Sequence, residues 1–234
     1  MKTKEFYGIK FNVYTDERIE GDFIKPDEAV YFENDIEITG KLEVKYLKCK
    51  KSIYVHKSYI VNRWEEIGGS QKVNGSQEIN GFQKINGSQE INGSQKINGF
   101  QEINGSQEIN GFQKVNESQK INWYQKINGS QKINWFQRIG GFQKVSGNLK
   151  AESSRVSLYS KVKGKYEVEG KVFIGVCEWR ETTEEEETLE CGKFISGDIK
   201  YGKLKEIGLP EEIESEKTDE EIIVLNGVKY KRLK

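Results

Sequence analysis

Phe82-Gln83-Lys84-Ile85-Asn86-Gly87 is one copy of a six-residue phrase that fills the chain from Ser70 to Gly147. The phrase reads Ser/Phe, Gln, Lys/Glu, Ile/Val, Asn, Gly, and it occurs thirteen times. Its only aliphatic residue is the fourth, from Val73 through Ile79 and Ile85 to Val145. A period of six fits neither a heptad nor an amphipathic helix, and β-branched residues favour strands. Asn-Gly tolerates positive φ, so it is expected to turn the chain after each short strand. Alternate side chains of a strand share a face. Gln and Ile/Val therefore point together, and the intervening Lys or Glu points to water.

One Ile per copy cannot hold a layer, but stacked coils can bury it, as in solenoids. Glutamines stacked in register form amide ladders, which satisfies buried amides. A meander of Asn-Gly hairpins would leave a thin, poorly covered sheet. Disorder conflicts with the regular aliphatic position and the inserted rings.

Position one and position three set the coil length. Eighteen residues put Trp64, Phe82, Phe100, Ser118 and Phe136 in one column, and Lys72 over Glu90, Glu78 over Lys96 and Lys84 over Glu102. Twelve residues would group Phe100, Phe112, Tyr124 and Phe136, but would stack Lys72, Lys84 and Lys96, which repel. Three hexads per coil are preferred.

The tract resembles the hexapeptide repeat of left-handed β-helices, with Ile/Val followed by Asn-Gly in the matching places. Gln71, Gln77 and Gln83 depart from it, because that family prefers Ser, Thr, Ala or Val there. The resemblance implies an all-β, left-handed triangular β-helix. More distantly the chain resembles bactofilin-like solenoids. A fold does not carry a function with it.

Residues 1–35 read as an N-terminal β cap, with Ile9, Phe11 and Val13 alternating. The solenoid is expected over residues 36–176. Its early inward pairs are apolar, such as Ile36/Ile38 and Ile53/Val55, with one step a residue short between Val44 and Cys49. After Val145 the phase slips by one, through Val156, Val162, Val168 and Ile174. Residues 177–234 read as a C-terminal β segment. It holds an acidic hairpin tip at Glu184–Glu187 and a terminal hairpin, Ile222–Leu225 and Val228–Tyr230 about Asn226-Gly227. Pro26 and Pro210 both lie outside the rod.

Lys+Arg and Asp+Glu balance at 37 each in 234 residues, so no global polyanion or polycation partner is implied. Cys49, Cys177 and Cys191 form no zinc or disulfide framework and read as free thiols, although Cys177 and Cys191 can bridge a hairpin. No apolar run is long enough for a signal peptide or membrane span, which points to a cytoplasmic or virion-associated protein. Metal clusters, phosphate loops and dinucleotide fingerprints are all missing, and no cofactor is implied. His56 is the only histidine and, as hexapeptide acyltransferases use a histidine base, it is the one candidate for such chemistry. Without a loop insertion to shape a substrate site it reads as a corner residue, and no catalytic residue is assigned.

The most informative departure lies late in the repeat. Position three becomes uniformly basic, with Lys120, Lys126 and Arg138 among six such residues from Lys114 to Lys144. Rings appear at the corners: Phe112, Trp123, Tyr124, Trp135, Phe136 and Phe142. Clustered exposed rings mark contact surfaces, unless they cover one another or dock the C-terminal segment. The expected function is a non-enzymatic structural or interaction protein that binds another protein, such as a bacterial or phage accessory factor or inhibitor. Alternatives are a self-assembling scaffold, a divergent hexapeptide-type acyltransferase and a nucleic-acid-binding rod. The nucleic-acid reading ranks lower because the basic residues spread over all three faces.

Overall fold

A computed structural model describes residues 2–157, 160–174, 188–201, 203–208, 222–225 and 228–231. The expected cysteine bridge and acidic tip involve Cys177 and Glu184–Glu187, which lie outside the described residues. The chain is a β-solenoid of about nine turns, with no helix among the described residues. Each hexad forms a three-residue strand, such as Gln77–Ile79, Gln83–Ile85 and Gln89–Ile91. Each strand pairs in parallel with the strand eighteen residues on: Gln77 with Gln95, Gln83 with Gln101, Gln89 with Gln107. A twelve-residue coil and a hairpin meander are therefore both excluded. Three faces result, named here by their inward columns: face A through Glu65 and Gln83, face B through Gln71 and Gln89, face C through Tyr59 and Gln77.

The short step and the later slip are both found, and both fall at the corner leading from face C to face A. Register shifts occur there between Val44 and Tyr46, and between Ile133 and Phe136. Strand pairing reaches past the expected limits at both ends. Asn12–Tyr14 pair with Val30–Phe32, and Arg18 and Ile19 pair with Glu37 and Ile38, so a coil lies below residue 36. At the other end Lys203–Glu206 pairs in parallel with residues 188–191. The terminal hairpin is present, with Ile222 opposite Lys231 and Leu225 opposite Val228.

Position four makes three fully buried aliphatic columns, from Val55, Val61 and Ile67 upward. Burying one such side chain contributes about 1.5–3 kcal/mol. Position two supplies the interior's polar half. The chain has thirteen glutamines, and every one is buried. Their amides bond to one another in a single direction. Each Nε2 donates toward the chain's N-terminal end, as from Gln89 to Gln71 Oε1 at 2.6 Å, Gln107 to Gln89 at 2.7 Å and Gln125 to Gln107 at 2.9 Å. The second N–H ties the faces together, as from Gln113 to Gln107 Oε1 at 3.0 Å and to Gln101 Oε1 at 3.1 Å. Corner asparagines repeat the direction outside, as from Asn104 to Asn86 at 2.9 Å and Asn110 to Asn92 at 2.8 Å.

A one-way ladder leaves surplus donors at one end and surplus acceptors at the other. Glu65 takes the donors. It occupies position two of its hexad, is fully buried, and its Oε1 accepts from Gln71 at 2.8 Å and Gln83 at 3.2 Å. Serines take the acceptors: Ser160 donates to Gln143 Oε1 at 3.0 Å and Ser154 to Gln137 Oε1 at 3.4 Å. Aligned amide dipoles place their positive end at Glu65, much as a helix N-terminus does. Burial nonetheless outweighs this help and pushes the Glu65 carboxyl up to about 7. The Tyr59 hydroxyl also lies beside the carboxylate, though neither it nor Oε2 has an aligned hydrogen bond.

The reason for Asn-Gly differs from the expectation. Among the described residues positive φ occurs only at Tyr7, Gly8, Gly21 and Gly208, and at no hexad corner. Glycine is required by close approach instead. A Cβ on Gly93 would lie 2.7 Å from the carbonyl of Gly75, one coil below. Asparagine is there for its outer ladder.

Two outcomes follow. Gln107→Leu removes the hydrogen bonds that Gln107 donates to Gln89 and Gln95 and those it accepts from Gln113, Gln119 and Gln125, and is expected to cost about 2–4 kcal/mol in a denaturant melt despite its added apolar area. Because Glu65 has a higher pKa folded than unfolded, its contribution is greatest below pH 4.5 and falls as pH rises toward 7. Relative to Glu65→Gln, the native chain should lose up to about 3 kcal/mol across that window. Identical pH profiles for the two proteins would contradict the placement of the carboxyl.

Candidate partner-binding surface

Position three points outward, so its charges are free to vary without disturbing the core. In the lower tract opposite charges meet at several steps of the columns, although Glu90 lies directly below Glu108. Lys72 meets Glu90 at 3.0 Å and Lys96 meets Glu78 at 2.8 Å. Above this, nine successive outward positions are basic, at residues 114, 120, 126, 132, 138, 144, 150, 155 and 161. Strand register stacks them as like charges: Lys96, Lys114, Lys132 and Lys150 on face C, Lys120, Arg138 and Arg155 on face A, Lys126, Lys144 and Lys161 on face B. Direct like-charge neighbours destabilise a sheet. The fold does not ask for this, since glutamate fills the same position lower down.

Of the basic residues expected at the surface, the structure separates two groups. Lys120 and Lys126 bond downward to Glu102 at 2.8 Å and Glu108 at 2.6 Å, as members of the rod's own ion pairs. The Glu108 carboxylate accordingly raises the Lys126 ammonium pKa. Arg138 is exposed and has no carboxylate partner among the described residues, and the same holds for Lys132 and Lys144. Those three occupy one coil, one on each face. The sequence reading did not single out Lys132 and Lys144. The signal was available by shifting the sequence eighteen places and asking which lysines find a glutamate.

The rings fall at all three corners. Trp123 is 69% exposed and Trp135 62%, and Phe112, Phe136 and Phe142 are exposed as well. Tyr124 is half-buried and lies directly below Phe142 in the coil stack. None of the six stacks on another aromatic ring among the described residues. By contrast, Phe82 and Phe100 stack at 5.6 Å, and Trp64 is held edge-on by Tyr7 at 5.4 Å. Mutual cover therefore does not explain the exposed rings. Phe136 and Arg138 stand two residues apart on the outside of the strand Gln131–Ile139, and Phe142 occupies the corner just before the strand Gln143–Val145 that carries Lys144.

His56 Nε2 lies 2.7 Å from Glu37 Oε1, and its ring lies 4.2 Å from that of Tyr54. A trough of about 940 Å³ follows the corner between faces A and B, floored by Ser52, Ser70, Ser88 and Ser106 and closed by Tyr124. Its serine hydroxyls accept backbone N–H groups from the coil above, as Ser70 Oγ does from Ser88 at 3.1 Å. Cys49 and Cys191 are buried and unpaired, and burial pushes both thiols up to about 12. No group of three or more His, Cys, Asp or Glu is placed to hold a metal among the described residues. Among the described residues no helix is long and apolar enough to cross a membrane.

The chain matches no protein-family model, no curated protein and no solved structure.

If the basic columns are self-repelling, Lys132→Glu should stabilise the rod at low ionic strength by about 0.2–1 kcal/mol. The gain should vanish in molar salt. A thermal melt at both salt concentrations checks this, and a loss at low salt would show that the lysines are already balanced.

Proposed function

We propose that the chain is a non-enzymatic interaction protein, built on a hexapeptide-repeat-like solenoid, whose rod grips another protein through the coil from Gln131 to Gly147 and the corners beside it. The observation that carries this is that coil's outer surface. It presents on each face a cation without a carboxylate partner among the described residues, Lys132, Arg138 and Lys144, together with the exposed rings Trp135, Phe136 and Phe142. The coil from Gln77 to Gly93, with Glu78, Lys84 and Glu90 outward and no exposed ring, folds without either feature, so the fold is not its reason. Apolar anchors flanked by charge are the composition of protein contact surfaces. The complementary partner carries acidic groups around apolar pockets. Affinity capture from the native host and its phages, read by mass spectrometry, tests the proposal. The native chain should retain one specific partner, and the folded Trp123→Ala/Trp135→Ala variant should lose it. A partner held equally by both proteins would remove the rings from the interface.

One observation also supports a nucleic-acid reading: ring and cation lie two residues apart at Phe136/Arg138 and Phe142/Lys144, the interleaving of aromatic and basic residues that single-strand binders use. Titration with a labelled oligothymidylate decides it. Salt-sensitive binding that weakens in an Arg138→Gln/Lys144→Gln variant favours this reading, and no binding at low salt ends it.

A further inference from the structure

Among the described residues of the rod the inward columns stop at the coil that ends in Lys203–Glu206, and its inward residues are less covered than those below. Phe194, Ile199 and Leu204 are that coil's inward residues, one per face, following Tyr166, Val172 and Leu189 in register. Leu189 is fully buried, whereas Leu204 directly after it is 41% exposed, and Ile207 beside it is 47% exposed. The strand Lys203–Glu206 pairs only with Thr188–Tyr201 among the described strands, so its other side is an unpaired edge. An open edge over an open core is the arrangement that folded sheets avoid.

The opposite end shows how this chain closes a coil stack. Thr3–Phe6 folds back on Ile9–Tyr14 through Tyr7 and Gly8, both at positive φ. The hairpin pairs along the lower edge of the first coil at Asn12 and packs Phe11 and Val13 with Tyr31, Tyr46 and Trp64 on the outside of face A, a cluster separate from the core. At the other terminus the chain carries a second hairpin, Ile222–Leu225 with Val228–Lys231, which forms a separate two-stranded sheet. Two strands alone are marginally stable in water. Its first strand, Ile-Ile-Val-Leu, is apolar at all four positions and so asks for cover on both faces. Residues 209–221 give the tether between rod and hairpin a reach of up to about 40 Å.

From these features we infer that the C-terminal hairpin is the stopper of the open end: it lies across Phe194, Ile199 and Leu204 and covers the Lys203–Glu206 edge. A second copy is the less suitable occupant. Head-to-tail stacking would have to displace the N-terminal hairpin from the first coil's edge at Asn12, which favours a tail-to-tail pair. The hairpin thus keeps the rod single, and displacing it exposes a surface by which two rods join.

Backbone hydrogen exchange on the full chain, with its mass from light scattering, tests this. The native protein should be a monomer whose Lys203–Glu206 amides are protected. In Ile223→Asp/Val224→Asp the same amides should exchange freely, or the chain should pair into a dimer, while Gln101–Ile103 stays protected as evidence of an intact rod. Leu204→Glu approaches the contact from the rod side and should release the hairpin's own amides. Free exchange at Lys203–Glu206 in the native monomer, a native dimer, or protection retained in a monomeric hairpin variant would each overturn the inference.

Discussion

A buried primary amide must find partners for two donors and one carbonyl, and this chain buries such a group in every hexad from Gln71 to Gln143. The requirement is met only if each glutamine lies directly above another, in exact parallel register. Register, coil length and the near-perfect repetition of the sequence are all consequences. A one-residue slip in the tract would turn the glutamines outward and the lysines inward, leaving charges in the core. Apolar coils tolerate irregularity better, and the shifts occur outside the ladder's central section, near Val44 and between Ile133 and Phe136. The ladder also has polarity, so its ends need different residues: a carboxylate to accept at Glu65, hydroxyls to donate at Ser154 and Ser160.

The interior is so constrained that variation is confined to the outward position and the corners. Position three alternates in sign where it serves the rod, and runs basic where it does not. Corners are glycine where coils must approach closely, and Trp at residues 123 and 135. The coil from Gln131 to Gly147 departs from the rod's own interests twice over, in charge and in exposed apolar area. Departures of this kind from local rules point to use by a partner.

Much of this was legible in the residues. The six-residue period and the aliphatic column gave strands and coils, and opposite charges eighteen residues apart gave the coil length. The same shift would have revealed that Lys120 and Lys126 are bound to Glu102 and Glu108. Glu65 escaped notice because it differs from Gln at a single position outside the perfect repeats. Asn-Gly was misread because local turn preference and close packing between coils select the same residue. The coils below residue 36 and above residue 176 were missed because their strands lack the hexad and pair across irregular spacings, such as Ser160 with Leu189. The exposed rings were readable as candidates from their place at the corners, but their lack of mutual contact belongs to three-dimensional packing.

The most direct measurement of the central claim is side-chain amide exchange by NMR. If the ladder holds, the NH2 groups of the glutamines between Gln77 and Gln137 exchange with deuterated water orders of magnitude more slowly than those of the corner asparagines. Glutamine NH2 groups that exchange as fast as asparagine NH2 groups would contradict a core built on stacked amides.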